Sequence, residues 1–467
     1  MALGLVTVVM AACSASSATK ASSTTAPKKH VPPPPTAYQL PKGVVHPVSF
    51  ARLYLPAKFA TAPTTAACEA DYAIACYTPA QLQRAYDLGP LLASGDDGHG
   101  ETIVIVDCFG SPTIVSDLAT FDKAFHLAPP PSFSIVTPAG AIPPWDPSGG
   151  GPMIAWGTET SLDVEYAHAM APGARIVLVE TPVAETEGTA GFPQIVAAEE
   201  WAIDHEDPAV ISQSFGATEG TFPSHQSILA LQGAYELADR KHVTVLAATG
   251  DDGSTDSSEV SGPDLFTRRA VDWPSTDPFV TAVGGTQLHL NQAGARLLPD
   301  NVWNDTNLFG MPAAGSGGTS QVFARPGYQS SVASTVGDHR GVPDVSLSAA
   351  EDGGALVYES FPGIQSDFYV VGGTSEATPL FAGVVAVADQ AAGRHLGLLN
   401  NDLYKLAAEH AAGIVDITVG NNTVTFQQNG ETVTVPGYAA AEGYDLASGL
   451  GTIDAAALVP ELKAQAG

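Results

Sequence analysis

Two short stretches hold side chains suited to hydrolysis. Residues 372–379 read GGTSEATP, and Ser375 opens an almost wholly apolar run, SEATPLFAGVVAVADQAAG, which reads as a buried helix. Gly372 and Gly373 let the backbone approach closely. Pro379 is expected in the first turn or just beyond, where its missing N–H matters least. A serine at this place is either an N-cap or a nucleophile, because a helix N-terminus favours negative charge on its oxygen or on an adjacent oxyanion. A nucleophilic serine needs a group to take its proton. The stretch GTETSLDVEYAHAM offers one, since Glu159 and Asp163 are four apart and share a helix face. Two solvated carboxylates at a helix N-terminus are the plainer reading of that pair.

The elements that must position these residues follow from texture. ETIVIVDCFG, ARIVLVE, AVISQSFG, VTVLAATG and FVTAVGG are short apolar runs closed by small or turn residues. SDLATFDKAF, SLDVEYAHAM, FPQIVAAEEWAI and HQSILALQGAYELADR lie between them as helices. Buried strands alternating with helices predict an α/β fold: a central, mostly parallel sheet with helices on both faces. In such sheets functional residues gather at the carboxyl ends of the strands, where SFG, TGDDG and VGG fall.

Composition narrows the partners. The formal net charge is −30, from 49 acidic and 19 basic residues. Phosphate neutralisation needs a basic face, so no nucleic acid partner is expected. The acidic excess is either a solvated surface or an adaptation to low pH, where neutral carboxyls stop repelling one another. The apolar run MALGLVTVVMAAC is too short to span a bilayer and ends Ala11–Ala12–Cys13, resembling a bacterial lipoprotein signal. Residues 1–13 are therefore expected to direct export, secreted or anchored in the cell envelope, with Cys13 a candidate for lipidation. Residues 14–67, Ser/Thr/Ala/Lys-rich and then Pro-rich, read as a low-complexity tether with any remnant of a propeptide. Residues 68–467 form the folded domain, expected to act as a monomer. Of the other cysteines, Cys68, Cys76 and Cys108, one disulfide and one buried thiol are expected. Cys68 and Cys76 are close enough in sequence to bridge.

A GTSxxxP serine after strands ending in SFG and in a Gly-acid-Gly turn resembles the subtilase superfamily. There the base is a His in an HGT motif and the second partner an Asp ending the first strand. Asp107 could be that Asp, but no HGT occurs, and His99 and His168 are the nearest histidines. Glu159 stands where the subtilase His would stand. The order of CYTPAQLQRAYDL, TIVIVD, ETSLDVEYAHAMAPGA, ISQSFG, TGDDGS, WPSTDPFVTAVGGT, RGVPDVSL, GGTSEATP and GYDLASGLGT resembles the sedolisins, the serine-carboxyl peptidases with a subtilisin-like fold.

That resemblance implies roles. Ser375 resembles the nucleophile, Glu159 the general base, and Asp163 the group that orients and tunes it. Asp251 resembles the acid that completes the oxyanion hole; by itself it is an ordinary turn residue. Ser214, Phe215 and Gly216 resemble the edge that pairs with substrate backbone as an added strand. Asp416, the Ile417 carbonyl, the Ala441 and Gly443 carbonyls and Asp445 resemble the family's calcium site, and oxygen-only ligands suit Ca²⁺. The insert NNTVTFQQNGETVTVP between its halves reads as a hairpin with an Asn-Gly turn.

The chemistry of the residue types agrees. An imidazole, with pKa near ~6.5, is protonated at pH ~4 and cannot serve as a base, whereas a Glu near ~4.3 is poised there. An ionised Asp251 only accepts hydrogen bonds, but a protonated one donates. The expected function is an exported, acid-acting serine-carboxyl peptidase on protein or peptide substrates, an endopeptidase or a tripeptidyl-peptidase. Two alternatives stand beside it: a neutral subtilase using His168 and Asp107, and a non-catalytic envelope binding protein.

Overall fold

The run around Asp107 folds as β1 (Thr102–Cys108), seven residues that are all buried. A strand buried on both faces must be covered on both, and its side chains divide by parity. Ile103 and Ile105 pack into one hydrophobic cluster, Val104 and Val106 into another. In this computed structural model the described residues are 53–54, 61–147, 152–258 and 264–465, all within one compact unit, 34–467.

The other strands of the main sheet are β2 (Phe133–Val136), β3 (Arg175–Thr181), β4 (Val210–Gln213), β5 (Thr244–Ala248), β6 (Thr281–Gln287), β7 (Asn301–Val302) and β8 (Val345–Ser348). Their order is β7-β6-β5-β4-β1-β3-β2, with β8 also paired to β6. Every pairing is parallel except that of β7 with β6. The helices that bear on the site and the sheet include α1 (Ile114–Phe125), α2 (Pro152–Met170), α3 (Phe192–His205), α4 (Gly233–Lys241), α5 (Thr374–Ala392) and α6 (Ala455–Gln465). Side chains of α2 and α5 fill the first cluster, those of α3 and α4 the second, so the sheet is covered on both faces. This is the parallel α/β arrangement expected from the strand and helix texture, and it matches the subtilisin-like fold that the resemblance implies.

The stretch HQSILALQGAYELADR folds as two helices rather than one, His225–Leu229 and Gly233–Lys241. Gly233 is a poor helix former, and a Cβ there would lie 2.6 Å from Glu200 of α3. The insert near the C-terminus forms the hairpin Val424–Gln428 with Glu431–Val435. Asn429 and Gly430 at its turn have φ of 54° and 82°, as a type I′ turn requires.

A smaller sheet joins Cys76–Tyr77, Gly354–Glu359, Asp367–Val371 and Leu53–Tyr54. The boundary expected at residue 68 falls inside the helix Thr65–Tyr72. Leu53 and Tyr54, within the expected tether, pair antiparallel with Val370 and Tyr369. Cys68 and Cys76 form a disulfide, and Cys108 is a buried thiol. The expected signal and lipidation site, residues 1–13, lie outside the described residues. Among the described residues no helix is long and apolar enough to cross a membrane.

Candidate active site

Two buried helices frame the site. Both start at the carboxyl edge of the main sheet. Just past β5, the Gly250 N–H donates to Thr374 Oγ1 in the first turn of α5, 3.2 Å away. Just past β4, Ser214 Oγ donates to Asp163 Oδ1 of α2 at 3.0 Å. At the opposite edge, Ala171 and Ala174 beyond the end of α2 pack on Gly98, shortly before β1. The helices meet closely midway along α5. A Cβ on Gly383 would fall 2.4 Å from Met170 Cβ and 3.2 Å from the Ala167 carbonyl, so only glycine allows this approach. The helices therefore run in the same direction. Eight residues before Gly383 is Ser375, and eight before Ala167 is Glu159. At 1.5 Å rise per residue each lies about 12 Å back along its own helix, so both stand at the same level of the carboxyl edge.

The carboxyls on α2 form a group with β1. Glu159, Asp163 and Asp107 are all fully buried. Burial pushes Asp163 well above the usual carboxylate range, and the neighbouring charges of Asp107 and Glu159 push it further; the Ser214 hydroxyl opposes them. Burial likewise raises Asp107 to about 7, with the Thr160 hydroxyl opposing and Glu180 adding to the rise. Asp163 thus stands close enough to feel the charge of both others. Such a set holds protons jointly rather than one residue at a time.

Asp251 follows β5 and closes on α5. Its Oδ1 accepts two hydrogen bonds, each 2.8 Å, from the N–H and the hydroxyl of Thr374. A helix leaves its first N–H groups without intrahelical partners. Here a carboxyl remote in sequence takes that of Thr374, the residue before Ser375. Burial raises Asp251 to about 8, with the two Thr374 bonds pulling down and Asp256 pushing up. Gly250 precedes it at φ 109°, a left-handed backbone that glycine adopts freely. Pro379 lies in the second turn of α5, just beyond the first as expected. Its missing N–H is the one that would otherwise pair with the Ser375 carbonyl.

The remaining expected residues divide. Ser214 serves Asp163 through its hydroxyl. Phe215 is buried against Trp156 and Phe192, with ring centroids 6.4 Å from each. Beyond Gly216, Ala217 and Thr218 pair with Trp273 and Asp272, so the chain already belongs to a short ribbon where the expected substrate edge ends. His168 does not reach the site. Its Nε2 lies 3.2 Å from Asp122 Oδ1 and 3.0 Å from the Ala128 carbonyl, toward α1. His99 sits at the other edge, its N–H bonded to Gln390 in the last turn of α5, about 22 Å along the helix from Ser375. The His168/Asp107 alternative is thereby corrected: helical phase and distance along α2 send that imidazole elsewhere, and Asp107 keeps company with carboxyls.

The candidate calcium residues come together from two segments. Asp416 follows Ile414–Val415, which pairs with Thr452–Ile453. Its Oδ2 accepts the Gly443 N–H at 2.8 Å. Asp445 Oδ2 accepts the Ala441 N–H at 2.9 Å, and Oδ1 accepts those of Ala447 and Ser448 at 2.8 and 2.9 Å. Ile417 is buried. Among the described residues no three or more His, Cys, Asp or Glu side chains form a metal cluster. An ion here would thus rely on carbonyls beside two carboxylates, an all-oxygen set that fits Ca²⁺ and not zinc.

Sequence reasoning missed the third carboxyl of the α2 group, Asp107, as a partner of Asp163, and the double donation from Thr374. It also missed Glu376, fully buried next to Ser375 and raised by that burial, with the Ser348 hydroxyl and the Ala355 N–H opposing. An acid in the first turn of a largely apolar run was the available signal for Glu376.

Residues 150–440 match the Subtilase family, peptidase S8. The chain is 35% identical over 385 residues to kumamolisin from Bacillus sp. (strain MN-32), covering 80% of this chain and 62% of that protein. It is 29% identical over 387 residues to sedolisin from Pseudomonas sp. (strain 101), covering 82% of this chain and 60% of that protein. Human tripeptidyl-peptidase 1 is 29% identical over 322 residues, covering 66% and 52%. The chain thus spans less than two thirds of the length of each of these relatives. Among solved structures it is similar to Pseudomonas sedolisin, a serine-carboxyl proteinase complexed with two molecules of pseudo-iodotyrostatin. The TM-score is 0.67 and the identity 25%, covering 84% of this chain and 100% of that one.

Proposed function

We propose, from the premise that this chain belongs to the subtilase family and to its sedolisin branch, that it is an exported, acid-acting serine-carboxyl peptidase. Its substrates are proteins or peptides, as the names of its relatives suggest. Ser375 Oγ attacks the scissile carbonyl carbon while its proton passes to the Glu159 carboxylate. Asp163 holds Glu159 and takes part in sharing that proton. The carbonyl oxygen becomes an oxyanion and receives a hydrogen bond from protonated Asp251, beside the N-terminus of α5. Collapse expels the amine, which leaves with the proton from Glu159. Water then attacks the acyl-enzyme and gives its proton to Glu159, and as the acid leaves that proton returns to Ser375 Oγ.

The observation that supports this reading best is the bond from Thr374 to Asp251. It ties a buried carboxyl, raised to about 8, to the residue before Ser375. That carboxyl is a proton-bearing donor throughout the acid range. A calcium ion held by Asp416, Asp445 and the carbonyls of Ile417, Ala441 and Gly443 would fasten the C-terminal loops to the core. The proposal includes export or envelope anchoring, with Cys13 the candidate lipid site, and a monomeric enzyme without nucleic acid partners. The test is digestion of an unfolded protein across a pH series, read by mass spectrometry. Hydrolysis should peak in the acid range and be lost in Ser375→Ala and in Glu159→Gln. Full activity in either variant removes the mechanism, and binding of peptides without cleavage would favour a binding protein.

A further inference from the structure

The geometry points to Thr374 as a positioning residue that decides which oxygen of Asp251 bears the proton. This inference rests on the reading of Asp251 as the oxyanion donor. Thr374 Oγ1 accepts the Gly250 N–H at 3.2 Å. Its own hydroxyl hydrogen is thereby left to point at Asp251 Oδ1, 2.8 Å away. The Thr374 N–H donates to the same oxygen, also at 2.8 Å. A carboxyl oxygen has two lone-pair sites, and both on Oδ1 are now taken. The acid proton of a neutral Asp251 therefore resides on Oδ2. Among the described residues Oδ2 is buried and has no protein hydrogen-bond partner. Its O–H is thereby free to donate to an oxygen brought by the substrate. A carboxyl free to choose would place the proton on either oxygen or rotate. One with Oδ1 filled twice presents a single donor in a single direction, the preorganisation that oxyanion stabilisation needs.

Other titratable groups bear on Asp251. Asp252 and Asp256 lie on its own loop, and Asp256 raises it further. Glu351, after β8, feels its charge. Asp272 Oδ2 would lie 2.6 Å from a Cβ at Gly250. All four are acids, so the only groups opposing the rise of Asp251 are the two donors of Thr374.

The experiment compares Thr374→Val, Thr374→Ser and Asp251→Asn by kcat and KM across pH on one peptide substrate. Valine keeps the shape and the N–H but removes the hydroxyl. Its kcat should fall about ten- to a hundredfold with KM little changed, because the donor is less well aimed. The lost hydroxyl had favoured the ionised carboxylate, so Asp251 should hold its proton to higher pH. The alkaline limb of the kcat profile then moves up, and Thr374→Ser restores both rate and limb. A limb that stays put or moves down in Thr374→Val overturns the assignment. The first outcome means the hydroxyl meets the oxyanion directly or only packs. The second means water has entered a loosened site. Asp251→Asn separates this from failure of the underlying reading. If that variant keeps an unchanged rate and profile, Asp251 is no oxyanion donor. If it alters the alkaline limb while Thr374→Val does not, Thr374 alone has been misassigned.

Discussion

The carboxyls around Ser375 and those in the C-terminal loops use one functional group in opposite ways. Near Ser375, Asp107, Asp163 and Asp251 are buried, and burial lifts all three. They are arranged to hold protons. At the C-terminal loops, Asp445 receives three backbone N–H groups and Asp416 a fourth. At Asp445 those N–H groups favour the charged form and oppose the burial that raises it. Aspartate alone does not decide between proton carrier and anionic ligand. The number of donors that the fold aims at each oxygen does, because every N–H bond favours the charged form and every loss of water disfavours it.

The contrast is broken most sharply by substitution. Glu159→Gln should lower kcat about 10⁴-fold or more at pH ~4 while leaving the melting temperature unchanged or higher, since a buried acid is replaced by a neutral amide. Asp445→Ala should do the reverse, with acid activity per folded molecule retained and stability lower. Paired activity assays and thermal melts check both, and a Glu159→Gln enzyme of normal rate would erase the distinction.

The next effect is on stability against pH. A carboxyl raised in the folded state keeps its proton there while the unfolded chain, near ~3.9, has lost it. Folding stability is therefore greatest in acid and falls as pH rises from about 4 through the folded values of about 7 for Asp107 and about 8 for Asp251 and Asp389. One such group corresponds to a loss on the order of 4 kcal/mol. Against a total of about 5–15 kcal/mol, a few suffice to unfold the chain near neutrality. Melts from pH 4 to pH 8 should drop by roughly 10 °C or more, and a flat profile would mean that these sites take up water and relax.

A smaller effect belongs to calcium. Saturating ion should add about 2–3 kcal/mol. Carboxylate ligands bind cations only when ionised, so this gain should grow as pH rises, against the trend of the site carboxyls. Chelation followed by a thermal melt at pH 4 and pH 6 reads it, and no change at either pH would remove the calcium proposal. The smallest expected change is in Asp251→Asn. Its amide can still donate and does not titrate, so acid activity should persist within about tenfold while the alkaline limb moves to higher pH.

Much of this molecule was legible in its residues. Apolar runs such as TIVIVD became strands buried on both faces, because only a covered parallel sheet hides such a run. A spacing of four put Glu159 and Asp163 on one helical face wherever that helix lay. Asn429–Gly430 set its turn locally, and Cys68 and Cys76 had only a short loop to close. Other features had no local signature. His168 stands in the same helix as Glu159, yet it turns to Asp122 on α1, a choice made by which helix packs beside it.

By itself, then, the chain determined its periodicities, its turns and the residue types available at each strand end, since these depend on neighbours a few bonds away. The tertiary structure alone decided which of its acids lost their water, that Thr374 would meet Asp251 across 123 positions, and that Asp107 would join Glu159 and Asp163. Desolvation and charge coupling act through space, and they acquire values only when the packed fold fixes the distances.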